Sequence, residues 1–194
     1  MHTLSIITLL AALVLPSGHA LASPPINIST EDLQTLQTQA AQGFAPAQNN
    51  LGLLYYNGRG VPIDYTKARE WFEKAAAQGD ADAQYNLGVL YDFKKGVPQD
   101  YAKARQWYEK AAAQGHAFAQ NNLGVLYEFG HGGAQDYVRA YMWYNVAATY
   151  STDAAPKDIA AENRDEIAGR MTSKQIAAGN QLANQCQARQ FKGC

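Results

Sequence analysis

The chain has 194 residues, with sixteen Lys and Arg against seventeen Asp and Glu, so its net charge is close to zero. That balance, with no basic block and no acidic tail, excludes an electrostatic nucleic-acid surface and a solvating arm. Two cysteines and four histidines leave little material for a metal centre.

The first element is an apolar run from Leu4 to Leu15, broken only by Ser5 and Thr8 and ended by Pro16 and Gly18. Ala20-Leu21-Ala22 then supplies a small-x-small cleavage signature, so residues 1–22 read as a secretory signal peptide, although its n-region holds no Lys or Arg. The run is too short for a membrane span, which needs about twenty apolar residues. No Cys follows the cleavage site to take a lipid, and no second long apolar run exists. The expected mature chain is 23–194, a single repeat domain without membrane insertion, in the periplasm or outside the cell. Asn27-Ile28-Ser29 is a glycosylation sequon that matters only in a eukaryotic secretory pathway.

Residues 29–42 read as a lone helix opened by a capping box of Ser29 and Asp32. A strict internal repeat follows over 43–150. Gly43, Gly79 and Gly115 are spaced by 36 residues, and so are Leu51, Leu87 and Leu123, Tyr55, Tyr91 and Tyr127, Asp64, Asp100 and Asp136, and Trp71, Trp107 and Trp143. Such a period is the mark of a stacked repeat architecture.

Each unit reads as two helices. In the first, Ala47, Leu51, Leu54 and Tyr55 fall on one helical face. A glycine-containing turn follows, Asp64 caps the second helix, and Gly79 ends it. Tyr65, Ala68, Trp71, Phe72 and Ala75 line one side of that second helix, while its outer side carries charges, including a Glu70 to Lys74 pair. Gly52, Gly88 and Gly124 sit inside the first helices. A mid-helix glycine costs about 1 kcal/mol, so three of them need a packing reason. The expectation is that they make room for Trp71, Trp107 and Trp143.

Ala47-Gln48, Leu51-Gly52, Tyr55, Gly58-x-Gly60-Val61, Asp64, Lys67-Ala68, Trp71 and the closing Ala75-Ala76-x-x-Gly79 resemble the Sel-one-like repeat, a relative of the tetratricopeptide unit. Units two and three match nearly as well. Lys94 departs from the first turn glycine of unit two, and Gly133-Ala134 from the Val-Pro of unit three. The resemblance implies an all-α solenoid of helix-turn-helix repeats. It also implies that the first helices line the concave side.

Downstream, Tyr141, Met142, Asn145 and Val146 replace the charged outer residues of the earlier units, so this side needs cover. The expected cover is the C-terminal segment, 157–194, with one helix near Ile159 to Met171 and another from a capping box of Thr172 and Gln175. Cys186 and Cys194 read as a disulfide in an oxidising compartment.

Positions that vary between units are not required by the repeat and are free to serve a partner. On the first helices these are Asn49, Leu53 and Tyr56, then Tyr85, Val89 and Asp92, then Asn121, Val125 and Glu128. On the concave side that the resemblance implies, this mix of aliphatic, amide, tyrosine and acidic groups suits a peptide or protein partner. The turn residues Arg59, Lys95 and His131, with Phe93 and Phe129 beside them, are either a second contact strip or solvated turn tips. No enzyme motif is present: His116 and His131 fit no zinc pattern, no Gly-x-Ser-x-Gly occurs, and no Ser has Lys three residues on. His116 varies between units and is expected at the surface. The expected function is therefore a non-enzymatic protein-binding adaptor without cofactor or metal. The resemblance adds two alternatives: a periplasmic immunity protein against a lipase-type effector, and a β-lactamase-like enzyme. The family branch tied to β-lactams carries a disulfide in each repeat, which this chain does not.

Overall fold

A computed structural model describes residues 28–194. The signal-peptide expectation for 1–22 and Asn27 of the sequon lie outside the described residues. Among the described residues the chain is all helical, as an α–α solenoid of paired helices requires. It falls into two compact units, Met1–Asp80 and Ala81–Cys194.

In Met1–Asp80 the helices are α1 (Thr30–Ala41), α2 (Ala45–Asn57) and α3 (Tyr65–Ala77). The Ser29 hydroxyl accepts from the Asp32 N–H at 3.0 Å and opens α1. Pro46 sits in the first turn of α2, where its missing N–H costs nothing, and Gly58 ends that helix at φ 68°. Asp64 opens α3 by accepting from the Lys67 N–H at 2.9 Å. Leu36, Ala40, Ala47, Leu51 and Leu54 form the core of α1 and α2, with Trp71 of α3 packed against it. The charged pair on α3 is Arg69 with Glu73 at 3.7 Å, not Glu70 with Lys74, because Lys74 lies over the Trp71 ring at 4.0 Å.

Ala81–Cys194 contains α4 (Ala81–Asp92), α5 (Tyr101–Ala112), α6 (Ala117–Phe129), α7 (Tyr137–Tyr150), α8 (Ala154–Ala168) and α9 (Ser173–Ala188). α4 packs on α5, α5 on α6, α6 on α7, and α7 on both α8 and α9. Asp100 and Asp136 repeat the cap made by Asp64. Side-chain amides join successive elements: the buried Gln120 donates to the Ala112 carbonyl at 3.2 Å, and the exposed Gln114 donates to the oxygen of the buried Gln84 at 2.9 Å. Gln48 and Gln78 repeat the second bond in Met1–Asp80 at 2.7 Å. Each satisfies a polar group that would otherwise cost about 1–3 kcal/mol in the core.

The helix glycines do make room, but not for the tryptophans. A Cβ at Gly52 would lie 2.6 Å from Phe72, at Gly88 2.4 Å from Tyr108, and at Gly124 2.4 Å from Tyr144. The ring that needs space is the residue after each tryptophan. Trp71 and Trp107 are half-buried, and Lys110 lies over Trp107 at 3.9 Å as Lys74 does over Trp71.

The first turn shows one strained departure. Gly58 and Gly130 adopt φ 68°, and Lys94, at the same place in the middle repeat, adopts φ 55°. The left-handed region costs an L-residue roughly 1–2 kcal/mol that glycine does not bear.

α8 begins at Ala154 rather than near Ile159. The Thr172–Gln175 capping box opens α9 as the sequence predicts. α9 covers the apolar side of α7: Tyr141, Met142 and Val146 are buried, and Asn180 accepts from Tyr141 and from Asn145 at 3.3 and 3.0 Å. Cys186 and Cys194 are disulfide-bonded, and the chain turns back after α9 with the Phe191 N–H donating to the Cys186 carbonyl.

Candidate partner-binding face

The nine variable residues of the first helices are less open than the sequence suggests. Asn49, Leu53, Tyr85, Val89, Asn121 and Glu128 are buried, while Tyr56, Asp92 and Val125 are half-buried. Every residue of α4 from Ala83 to Leu90 is buried. Within Ala81–Cys194 the cause is visible: this stripe faces the next element of the stack. Tyr85 stacks on His116 at 4.6 Å, at the start of α6. Asn121 accepts from Asn163 of α8 at 2.9 Å. Glu128 accepts from the Tyr144 hydroxyl at 2.8 Å and pairs with Arg170, just beyond α8.

The variation follows a rule that lies inside the fold. Tyr108 donates to Asp92 at 3.0 Å, and Tyr144 donates to Glu128, in register one repeat apart. Where the first repeat has Phe72, without a hydroxyl to give, the acid is replaced by Tyr56, which meets Tyr65 edge-on at 5.4 Å. An acid therefore appears only opposite a tyrosine. The exchange of Phe72 for Tyr108 and Tyr144 was a signal in the sequence for this pairing. Burial raises the Asp92 carboxyl above its ordinary value, against the lowering effect of the Tyr108 bond. It also raises the hydroxyls of Tyr108 and Tyr144, and it pushes Tyr56 up to about 12 with help from Tyr65.

His116 is not a free surface residue. Its Nδ1 accepts from the Ala119 N–H at 3.1 Å and caps α6, while Nε2 faces Asp82 at 3.3 Å. The hydrogen bond from His116 holds the Asp82 carboxyl below its ordinary value. His131 stacks on Tyr101 at 4.2 Å, and Phe93 and Phe129 are exposed.

No group of three or more His, Cys, Asp or Glu among the described residues is placed to hold a metal. A cavity of about 110 Å³ beside the disulfide is lined by Arg139, Met142, Leu182 and Arg189. It falls below the ~300 Å³ at which small-molecule sites begin.

Three Sel1 repeats match the chain, at residues 45–80, 81–116 and 117–149. The chain belongs to the Sel1 repeat family. Two solved structures share the fold. A protective antigen present in uropathogenic Escherichia coli strains, with an SLR fold, superimposes with a TM-score of 0.76 at 36% identity, over 84% of this chain and 34% of that one. A Sel1 repeat protein from Oxalobacter formigenes gives 0.60 at 35%, over 70% of this chain and 98% of that one. The ERAD-associated E3 ubiquitin-protein ligase components HRD3A and HRD3B of Arabidopsis thaliana are 52% and 48% identical over 46 residues, 23% of this chain. The match spans only 7% and 8% of those two proteins. Sel1 repeat proteins are generally protein–protein interaction modules and typically non-enzymatic scaffolds. No helix among the described residues is long and apolar enough to cross a membrane.

Proposed function

We propose that this Sel1 repeat protein is an exported adaptor that holds a protein or peptide partner on the side of its first helices. The observation that carries the reading is the run of three Sel1 repeats, an architecture used for binding, from residue 45 to 149. The accessible members of the stripe are Tyr56 in Met1–Asp80, and Asp92 and Val125 in Ala81–Cys194. Export to the periplasm or beyond is favoured by the apolar run Leu4–Leu15 with its cleavage signature and by the Cys186–Cys194 disulfide, since such bridges persist in oxidising compartments.

The test is affinity capture from the envelope fraction of the source cell with tagged mature chain, as wild type, Tyr56→Ala and Val125→Arg. A partner held by wild type and lost or weakened in the variants is the expected result. Equal recovery by all three would move the contact away from the first helices. Recovery of no partner by folded wild type would remove the adaptor reading.

A further inference from the structure

Two guanidinium groups, one from α5 and one from α7, meet on a single phenol oxygen of α6. Arg105 donates from Nη2 and Arg139 from Nη1, the latter at 3.1 Å, to the hydroxyl of Tyr127. Both cations also lie over its ring, at 4.5 and 5.5 Å from the centroid. Tyr127 is buried, so the oxygen is fixed in place. A phenol oxygen has two lone pairs and one proton. The two arginines take the lone pairs, and no acceptor among the described residues takes the proton. Two like charges held on one neutral oxygen repel each other. Each has a carboxylate at its other flank: Glu109 accepts from Arg105 Nε at 2.9 Å, and Asp136 lies 3.5 Å from Arg139 Nε.

The repeat does not need this arrangement. At the place of Arg139 the earlier units have Lys67 and Lys103, which lie over Tyr55 and Tyr91 at 5.2 and 5.3 Å. A lysine therefore suffices to cover the ring, and the arginine adds a donor on the hydroxyl. The turn before α7 departs as well. Gly133 stands where the earlier units have Val61 and Val97, and a Cβ there would lie 3.1 Å from Arg105 Nη1. A branched side chain would crowd that nitrogen, and glycine leaves it open. The Arg105 and Arg139 side chains are 27% and 49% exposed, so a ligand reaches them from solvent.

We infer that Arg105, Tyr127 and Arg139 form a binding site for a carboxylate. Its oxygens accept from both guanidiniums and from the phenol proton, and its charge offsets the repulsion between the two arginines. A single negative charge suits the site better than a phosphate dianion, because Glu109 and Asp136 already balance the arginines from their flanks. The carboxylate is an acidic side chain of a protein partner or a free small carboxylate. The site lies outside the variable stripe of the first helices, so it stands or falls apart from the adaptor reading.

The test is an NMR titration of the oxidised mature chain with sodium acetate, against sodium chloride at equal ionic strength, read on the Arg105 and Arg139 Nε–H signals. Acetate should shift both signals saturably, and chloride should not. Arg139→Lys and Gly133→Val install the residues of the neighbouring repeats and should leave the urea midpoint near wild type. Each should weaken acetate by about tenfold, the factor for one charge-assisted hydrogen bond. Tyr127→Phe keeps the ring, removes the phenol proton and should weaken acetate by a similar factor. Hexapeptides with one central Glu, and their Gln counterparts, separate the two sources. A Glu peptide that binds more tightly than acetate points to a protein side chain, and equal or weaker binding points to a free carboxylate. No saturable acetate shift, equal affinity in all three variants, or tighter binding of inorganic phosphate than of acetate would overturn the site and leave the adaptor reading untouched.

Discussion

The ring of Tyr144 fills the space that a side chain at Gly124 would need, with Cε1 2.4 Å from where a Cβ would be. Gly88 stands in the same relation to Tyr108. Both rings are fully buried, so neither can swing aside into water. Two terms compete in Gly88→Ala and Gly124→Ala. Alanine improves the helix by about 1 kcal/mol. Forcing a methyl into a filled core costs typically 1–3 kcal/mol. Because the clash is with the body of a ring locked on all sides, the second term wins. Both variants should lower the urea midpoint, by roughly 1–2 kcal/mol of stability. A midpoint equal to or above wild type would show that the tyrosine has somewhere to go.

The same glycines mark where the sequence was legible and where it was not. Spacing alone placed the paired helices, the Asp64, Asp100 and Asp136 caps, and the Thr172–Gln175 box, because caps and periodicity are local. It also showed that the glycines answer a close approach. It named the wrong partner, since Trp71 and Phe72 are adjacent and only packing tells which of them points at Gly52. Variation between repeats suggests that the stripe from Asn49 to Glu128 is open. Tyr85 against His116, and Glu128 against Tyr144 and Arg170, show why that inference fails. Residues between repeats change together with their neighbours while staying buried, and a comparison taken position by position misses the pairing. His116 departs from the surface expectation for a related reason: its role as a cap depends on a ring nitrogen reaching the Ala119 N–H, which repeat spacing does not encode.

The two acid–tyrosine pairs should differ in weight. Tyr144 donates to a buried carboxylate, whereas Asp92 is half-buried and water can replace the Tyr108 hydroxyl. Hydrogen bonds to charged groups contribute about 1.5–3 kcal/mol, and more of that is lost when nothing substitutes for the donor. Tyr144→Phe should therefore cost about 2 kcal/mol and Tyr108→Phe under about 1 kcal/mol by chemical denaturation. Phe72 already occupies this position in the first repeat, so the ring alone is compatible with the packing. Equal costs would mean that the Asp92 pair is as dry as the Glu128 pair.

Asp82 and Asp92 should give opposite pH trends. The hydrogen bond from His116 depresses the folded-state value of Asp82, so its contribution is present above the unfolded aspartate value of about 3.9 and is lost as pH falls through the depressed value. Burial raises the folded-state value of Asp92, so its contribution is present below about 3.9 and is lost as pH rises through the raised value. Relative to wild type, Asp82→Asn should be least stable near neutrality and converge on it in strong acid. Asp92→Asn should gain on wild type as pH rises from acid to neutral. The Asp82 difference should be small, because its side chain is 70% exposed and solvent screens the pair. Denaturation midpoints measured from neutrality down through the carboxylate range check both signs, and parallel curves for the two variants would contradict the assignments.

Reduction of the Cys186–Cys194 bridge should loosen the end of α9 and spare its middle. The bridge closes a loop of eight residues' separation, which limits its chain-entropy contribution to about 2.5 kcal/mol. What it holds is local: Arg189 to Cys194 turn back on Cys186, and Phe191 comes to within 6.1 Å of Tyr150. The seat of α9 on α7 lies earlier, at Gly179, Asn180 and Ala183, and needs no disulfide. In Cys186→Ser/Cys194→Ser, amide exchange should quicken from about Gln185 onward while Gly179 and Asn180 keep their protection. Exchange that quickens along all of α9 would mean that the bridge, and not the Tyr141 and Asn145 contacts, keeps the last helix in place.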